Sequence, residues 1–407
     1  MGYSVHTRRF LLAGGVALAG SGYSLAAQAR KGHAPSLKKN HAAEASAADV
    51  STGAAITPVG PVDTVARWAC ILDYDSGSVL LEKAADERMP PSSLTKMMTA
   101  YITFEMLRSG RLKLDQSLLV SERAWRMQGS RMFVPLGASV PVQDLIQGMV
   151  IQSGNDACIV VAEGISGSEE QFVALMNATA EKLGLKNSHF MNATGWPAEG
   201  HYMSARDVAY LAVRLIHDFP EYYHFFSEKE FFFNKIRQEN RNTLVVKGLA
   251  DGLKTGHTDA GGFGLCASSL RDGRRVVMAL NGMPTSSARA REGERLLGWS
   301  FANFETARIL EHGTVVTQAP VWMGNEKTVP LMVAQDVSLL LPHGWRNDTH
   351  VSFDYQSPLP APLVQGQAVG TVTIALSGNR QMTVPLIVGQ SVQALGVFGR
   401  AARRMHL

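Results

Sequence analysis

Strand-forming segments stand at both ends of residues 65–310 and helix-forming segments fill the middle, and this order limits the fold more than any single motif. Val65 to Tyr74 and Ser78 to Lys83 read as strands about an Asp75-Ser76-Gly77 turn. Far downstream, Gly264 to Leu270 and Arg275 to Leu280 flank Arg271-Asp272-Gly273, a strong hairpin signal. Helical patterns lie between: from Ser93 to near Gly110, from Val142 to Ile151, and onward from Ala157, Ser168 and Ser204. A long amphipathic helix, Ser287 to Leu310, closes the unit. The expected result is an α/β domain whose antiparallel sheet is assembled from both ends of the chain.

The flanks read differently. Arg8-Arg9 precede an apolar run from Phe10 to Ala19, and Ala27-Gln28-Ala29 supplies small residues for cleavage, so residues 1–29 are expected to be a secretory signal. Residues 30–62 are rich in Ala, Ser, Lys and Pro without apolar period, the composition of a flexible linker. The main folded unit then spans residues 63–312. Beyond it, Val329 to Leu341, His350 to Tyr355, Ala368 to Leu376 and Gln381 to Val388 alternate in β fashion, predicting a small all-β domain over 313–388. In residues 389–407 the pattern is helical from Ser391 to Leu407. Leu395, Phe398, Ala402 and Met405 share one face and Arg400 and Arg404 the other, as in an interfacial membrane anchor.

A net charge of +4 over 407 residues gives no argument for a nucleic-acid partner. Cys70, Cys158 and Cys266 sit in apolar stretches without ligand spacing, so they read as buried small hydrophobes, and neither a metal nor another cofactor is expected. An oxidising compartment would allow them one disulfide.

The chemistry is expected at Ser93 and Lys96. Pro90-Pro91 blocks helix upstream, and three-residue spacing on a helix brings the serine hydroxyl and the lysine amine to one face. Such a hydroxyl attacks only when a base takes its proton, and lysine serves only if burial lowers its pKa. Alone, Ser-x-x-Lys carries little weight: about one or two matches arise by chance in a chain this long, and Ser36-Leu37-Lys38-Lys39 is such a decoy. Partners follow, however. Ser153-Gly154-Asn155 sits at a helix–helix turn, where a second hydroxyl can relay a proton and a carboxamide can hold an ammonium. Its decoy, Ser377-Gly378-Asn379, lies between two strands. Lys254-Thr255-Gly256-His257 opens the late sheet. Its Lys and Thr suit a carboxylate, its Gly lets backbone lie against substrate, and the His257 N–H can pair with that of Ser93 as an oxyanion hole.

These three segments, in this order, form the set shared by penicillin-binding proteins and class A β-lactamases. With their flanking residues they resemble the low-molecular-mass penicillin-binding proteins that act as D-alanyl-D-alanine carboxypeptidases. Asn192-Ala193-Thr194-Gly195 and Ser204-Ala205-Arg206-Asp207 are similar to that family too. The resemblance covers about Val65 to Leu310 well and the β domain and tail more weakly. It implies a penicillin-binding-protein/serine β-lactamase-like domain with helices on both sides of its sheet. It also implies an exported enzyme at the outer face of the cytoplasmic membrane, acting on peptidoglycan stem peptides and inhibited by β-lactams. Ser93 would attack between two terminal D-alanines, Lys96 would act as base, and Ser153 and Asn155 would assist. Lys254, Thr255, Gly256 and His257 would line the site. Arg289 resembles a family arginine near the substrate carboxylate, and Arg241 does so more weakly.

Two rivals differ in kind. A β-lactamase needs a carboxylate that activates the deacylating water, and no convincing Glu motif follows Ser153; Gly154 also stands where class A enzymes typically have Asp. A non-catalytic peptidoglycan or β-lactam binder has no use for an intact set of reactive residues.

Overall fold

The computed structural model describes residues 8–10, 53–347, 349–376 and 380–405. They form two compact units, one of residues 51–307 with 338–343, the other of 308–337 and 344–407 with the Arg8–Phe10 strand.

The larger unit is built on a five-stranded antiparallel sheet. Its order is Val79–Lys83, Trp68–Asp73, Arg274–Met283, Gly262–Arg271, Gly252–Thr258. The two central strands come from opposite ends of the unit: Ala69 pairs with Leu280 and Cys70 with Ala279. Alternation along the strands then sorts side chains to two faces. Cys70, Leu72, Cys266, Val277 and Ala279 join the core that contains the middle helices. Ala69, Ile71, Leu265, Ala267, Met278 and Leu280 pack with Leu296 and Leu297 of the Ser286–Asn303 helix. Helices therefore cover both faces, as the family resemblance implies.

The middle helices run Lys96–Arg108, Val142–Val150, Asn155–Ser166, Glu169–Leu183 and Ala205–Asp218. Ser168 and Ser204 cap the last two, accepting the amides of Gln171 and Asp207. All three cysteines are free and buried.

The structure corrects the sequence reading in several places. The closing helix stops at Asn303, and Phe304–Leu310 is a strand. The Arg274 guanidinium takes the carbonyls of Ser300 and Phe304 at 3.2 and 2.8 Å, ending a period that Phe304 continues on paper. The end of the expected linker is held in place: Ala55 is fully buried, and Ile56 exchanges both backbone hydrogen bonds with Glu82. The serine pair does not begin the α-helix. Ser92–Thr95 is a 3-10 turn, Ser92 has φ 47°, and the α-helix starts at Lys96. In the C-terminal region the helix spans only Val397–Met405, because Val392 is committed to backbone pairing with Leu363.

The smaller unit is a seven-stranded sheet, its longest strands Ala368–Leu376 and Arg380–Val388. The stretch read as Val329 to Leu341 is two strands, Thr328–Val333 and Val337–Pro342. Both decoys, Ser36 to Lys39 and Ser377 to Asn379, lie outside the described residues, as do the expected leader apart from Arg8–Phe10 and the linker before Gly53.

Candidate active site

The 3-10 turn and the first residue of the following helix place Ser93 and Lys96 together. Lys96 Nζ lies 2.9 Å from Ser93 Oγ. Ser93 is half-buried, whereas Lys96 has no exposed surface at all. Burial, with a smaller contribution from the Arg241 charge, lowers the Lys96 pKa to about 8, against partial opposition from Cys158 and Asp156.

Two further acceptors fix the amine. Asn155 Oδ1 is 2.7 Å away and the Thr194 carbonyl oxygen 2.6 Å. A neutral amine has two N–H donors and one lone pair. Both carbonyl oxygens can only accept, so they claim the two N–H groups, and the lone pair is left for the Ser93 hydroxyl. The geometry thus prepares a base rather than an ion pair.

Each acceptor is itself held. Asn155 begins its helix, with its N–H on Ser130 O and its Nδ2 on Gln128 O, both at 2.7 Å. Asp156, 1% exposed, accepts the amides of Met132, Phe133 and Val134. In the other wall, Asn192 Oδ1 receives the amides of Thr194, Gly195 and Trp196, an Asx-type cap that orients the Thr194 carbonyl. Ala193 is bound on both sides, its N–H to Glu169 Oε1 and its oxygen to Thr99 Oγ1. Gly195 has φ 82°, and a Cβ there would stand 1.8 Å from Ser92 O. Only glycine fits that approach.

His201 ties the same loop to the motif. Its Nδ1 accepts the Met191 amide, so Nε2 carries the proton and donates to Thr95 Oγ1 at 2.8 Å. Burial holds its pKa down at about 4, and the ring is neutral at physiological pH.

The third expected segment also reaches the pair. Gly252–Thr258 is an edge strand, and a Cβ on Gly256 would meet Ser92 Oγ at 2.2 Å and Ser93 N at 3.2 Å. Strand backbone therefore lies directly against the serine turn. Lys254, 1% exposed, donates to Thr255 O at 2.9 Å; burial first, then the Lys96 and Arg241 charges, push its pKa well down. Arg289 Nη1 lies 3.5 Å from Gly256 O, and Arg241 Nη1 2.7 Å from Ser130 Oγ. Burial lowers the pKa of both arginines, and the Arg241 charge lowers that of Arg289 further. Among the described residues none of Lys96, Lys254, Arg241 and Arg289 has a carboxylate partner in an ion pair. The Arg241 and Arg289 guanidiniums, close enough for one to lower the pKa of the other and with no carboxylate counter-ion among the described residues, favour an anion there.

Not every expected residue is used as expected. The Ser153 hydroxyl, buried at a turn with φ 69°, makes no hydrogen bond to Ser93 or Lys96 among the described contacts. The His257 ring points out and stacks on Phe263 at 4.0 Å, leaving its backbone as the part that faces the serine turn. The sequence marks no role for Thr194 or Asp156, and only a weak one for Arg241. The carboxylate of Glu169, buried beside the Thr194 loop, is taken by Ala193 N and Arg123 and is not free to activate water.

Comparison with known proteins gives consistent results. A family model described as D-alanyl-D-alanine carboxypeptidase matches residues 54–285, and one described as the C-terminal domain of penicillin-binding protein 5 matches residues 304–394. The D-alanyl-D-alanine carboxypeptidase DacC of Escherichia coli is 43% identical over 82% of this chain and 86% of its own. DacA of the same organism is 41% identical over 81% and 84%. Among solved structures, penicillin-binding protein 5 of Haemophilus influenzae is similar with a TM-score of 0.66 and 37% identity, covering 82% of this chain and 99% of that one. Penicillin-binding protein 6B of Escherichia coli gives 0.68 and 33%, covering 82% and 98%.

Proposed function

The chain belongs to the D-alanyl-D-alanine carboxypeptidase family of serine peptidases, and from that membership we propose that Ser93 is its nucleophile and Lys96 the base. The substrate is a peptidoglycan stem peptide ending in D-Ala-D-Ala. Ser93 Oγ attacks the carbonyl between the two terminal residues as its proton passes to Lys96. The N–H groups of Ser93 and His257 receive the oxyanion. The Lys96 ammonium then protonates the departing D-Ala nitrogen, with Ser153 as relay, and water hydrolyses the remaining ester. Asn155 holds Lys96, while Lys254, Thr255 and Arg289, with Arg241 behind them, receive the terminal carboxylate. β-Lactams enter by the same attack, their strained amide standing where the scissile bond would be.

What supports this reading most is one contact, a fully buried lysine amine 2.9 Å from a half-buried serine hydroxyl. Purified protein should release free D-Ala from a synthetic acyl-D-Ala-D-Ala peptide, and Ser93→Ala should lower the rate by at least about 1000-fold. Release that survives the substitution would refute the assignment.

We propose that the peptidase domain spans about residues 63–312 and that the β module follows it. We place the protein outside the cytoplasm, with the Val397–Met405 helix adsorbed on the outer face of the membrane. Val397 and Phe398 are 81% and 92% exposed, and Arg400 follows them. Among the described residues no helix is long and apolar enough to cross a membrane, so adsorption rather than spanning is the mode proposed.

A further inference from the structure

Phe133 is displayed where folding alone would not put it. The residue is 41% exposed, and its backbone has φ 69°, a region that disfavours every residue with a Cβ. The position is nevertheless strongly enforced. The buried Asp156 carboxylate, next to the Lys96 ligand Asn155, takes the amides of Met132, Phe133 and Val134 at 2.9, 2.8 and 3.2 Å. From the other side the Glu230–Phe233 and Ile236–Glu239 hairpin holds the same loop, Gln238 Nε2 on Met132 O and Asn234 Nδ2 on Phe133 O. A glycine or a small polar residue would meet these bonds with less strain and less exposed apolar surface.

The surroundings suit a sugar. The Arg131 guanidinium sits 5.2 Å from the ring centroid, covering one face, and Lys235 is exposed at the hairpin tip. An aromatic face bordered by N–H donors takes the C–H face of a pyranose, whose hydroxyl and acetamido oxygens accept from the donors. The loop is also close to the Lys96 ligand: Phe133 lies three residues past Ser130, whose oxygen binds Asn155 N, and three residues span at most about 11 Å.

Resting on the carboxypeptidase reading, we propose that Phe133 is a specificity-determining contact for the saccharide that carries the stem peptide. The cleavage site would then favour glycan-borne stems over free ones.

The test compares kcat/KM for D-Ala release from a free stem pentapeptide and from the same peptide carrying its disaccharide. Phe133→Gly keeps the left-handed backbone accessible and removes only the ring. It should leave the free peptide within about twofold and lower the disaccharide-peptide about tenfold, while Phe133→Tyr keeps wild-type values on both. Equal effects on the two substrates, or none on either, would overturn the proposal while leaving the carboxypeptidase reading intact. Failure of the unmodified protein to release D-Ala from the free pentapeptide would overturn both.

Discussion

The Lys96 amine lies 2.6 Å from the main-chain carbonyl oxygen of Thr194, a residue 98 positions further along the chain. Together with Asn155 Oδ1 this carbonyl occupies both N–H groups of the neutral amine and turns its lone pair toward Ser93. The proposed base is held by the loop as much as by the helix.

With the Lys96 pKa lowered to about 8 by burial, the form proposed as the base is the neutral one, and its fraction grows as pH rises. Acylation of Ser93 by a penicillin should increase about tenfold from pH 7 to pH 9 and then level off. Stopped-flow acylation rates across that range check the sign. A rate that falls from pH 7 to 9 would mean the ammonium is the active form.

Gly195→Ala should remove the Thr194 acceptor. Its Cβ would meet backbone, Ser92 O at 1.8 Å, so the loop or the serine turn must move. Displacement near 1 Å at a catalytic group costs about 100-fold, and acylation should fall at least that far. Gly137→Ala is the control: it shares a positive φ, 69°, but its Cβ meets nothing within 4 Å. It should cost about 1 kcal/mol of stability and leave acylation unchanged. Parallel thermal melts and acylation assays separate the two effects.

How far the sequence reaches is clearest at this loop. Ser93, Lys96, Asn155 and the Lys254 strand act through side chains or a glycine, and residue types in order point to them. Thr194 acts through its carbonyl, which any residue has, so no residue type marks it; only the Asn192 cap pattern signals a fixed turn there. The sheet, too, was legible from strands at both ends of the unit, because strands buried on two faces are short apolar runs bounded by turn residues. The end of the closing helix was not, since Phe304 keeps helical spacing and the Arg274 side chain that terminates the helix comes from a distant strand. Ser92 carries the same lesson: its left-handed backbone is imposed by Gly195 and Gly256 packing against it, not by its own sequence neighbours.

Arg289→Ala should raise KM for an acyl-D-Ala-D-Ala peptide at least about tenfold with a smaller change in kcat, since a carboxylate bound equally in ground and transition states contributes to KM. Amidation of the terminal carboxylate should remove the difference between variant and wild type. Steady-state kinetics on both peptides decide it; an unchanged KM would take Arg289 out of the binding site.

Removal of residues 397–407 should leave D-Ala release unaffected and free the protein from anionic vesicles, because Val397 and Phe398 expose their side chains in water and Arg400 follows. Vesicle sedimentation of trimmed and untrimmed protein is the measurement. Co-sedimentation that persists after trimming would assign membrane affinity to another surface.

The assignment of the nucleophile meets its most direct test in mass spectrometry of the protein after brief exposure to a penicillin. One adduct is expected, on the peptide that contains Ser93, persisting for minutes, absent from Ser93→Ala and undiminished in Ser36→Ala. An adduct on any other residue, or penicillin turned over many times a second with no adduct on Ser93, would contradict it.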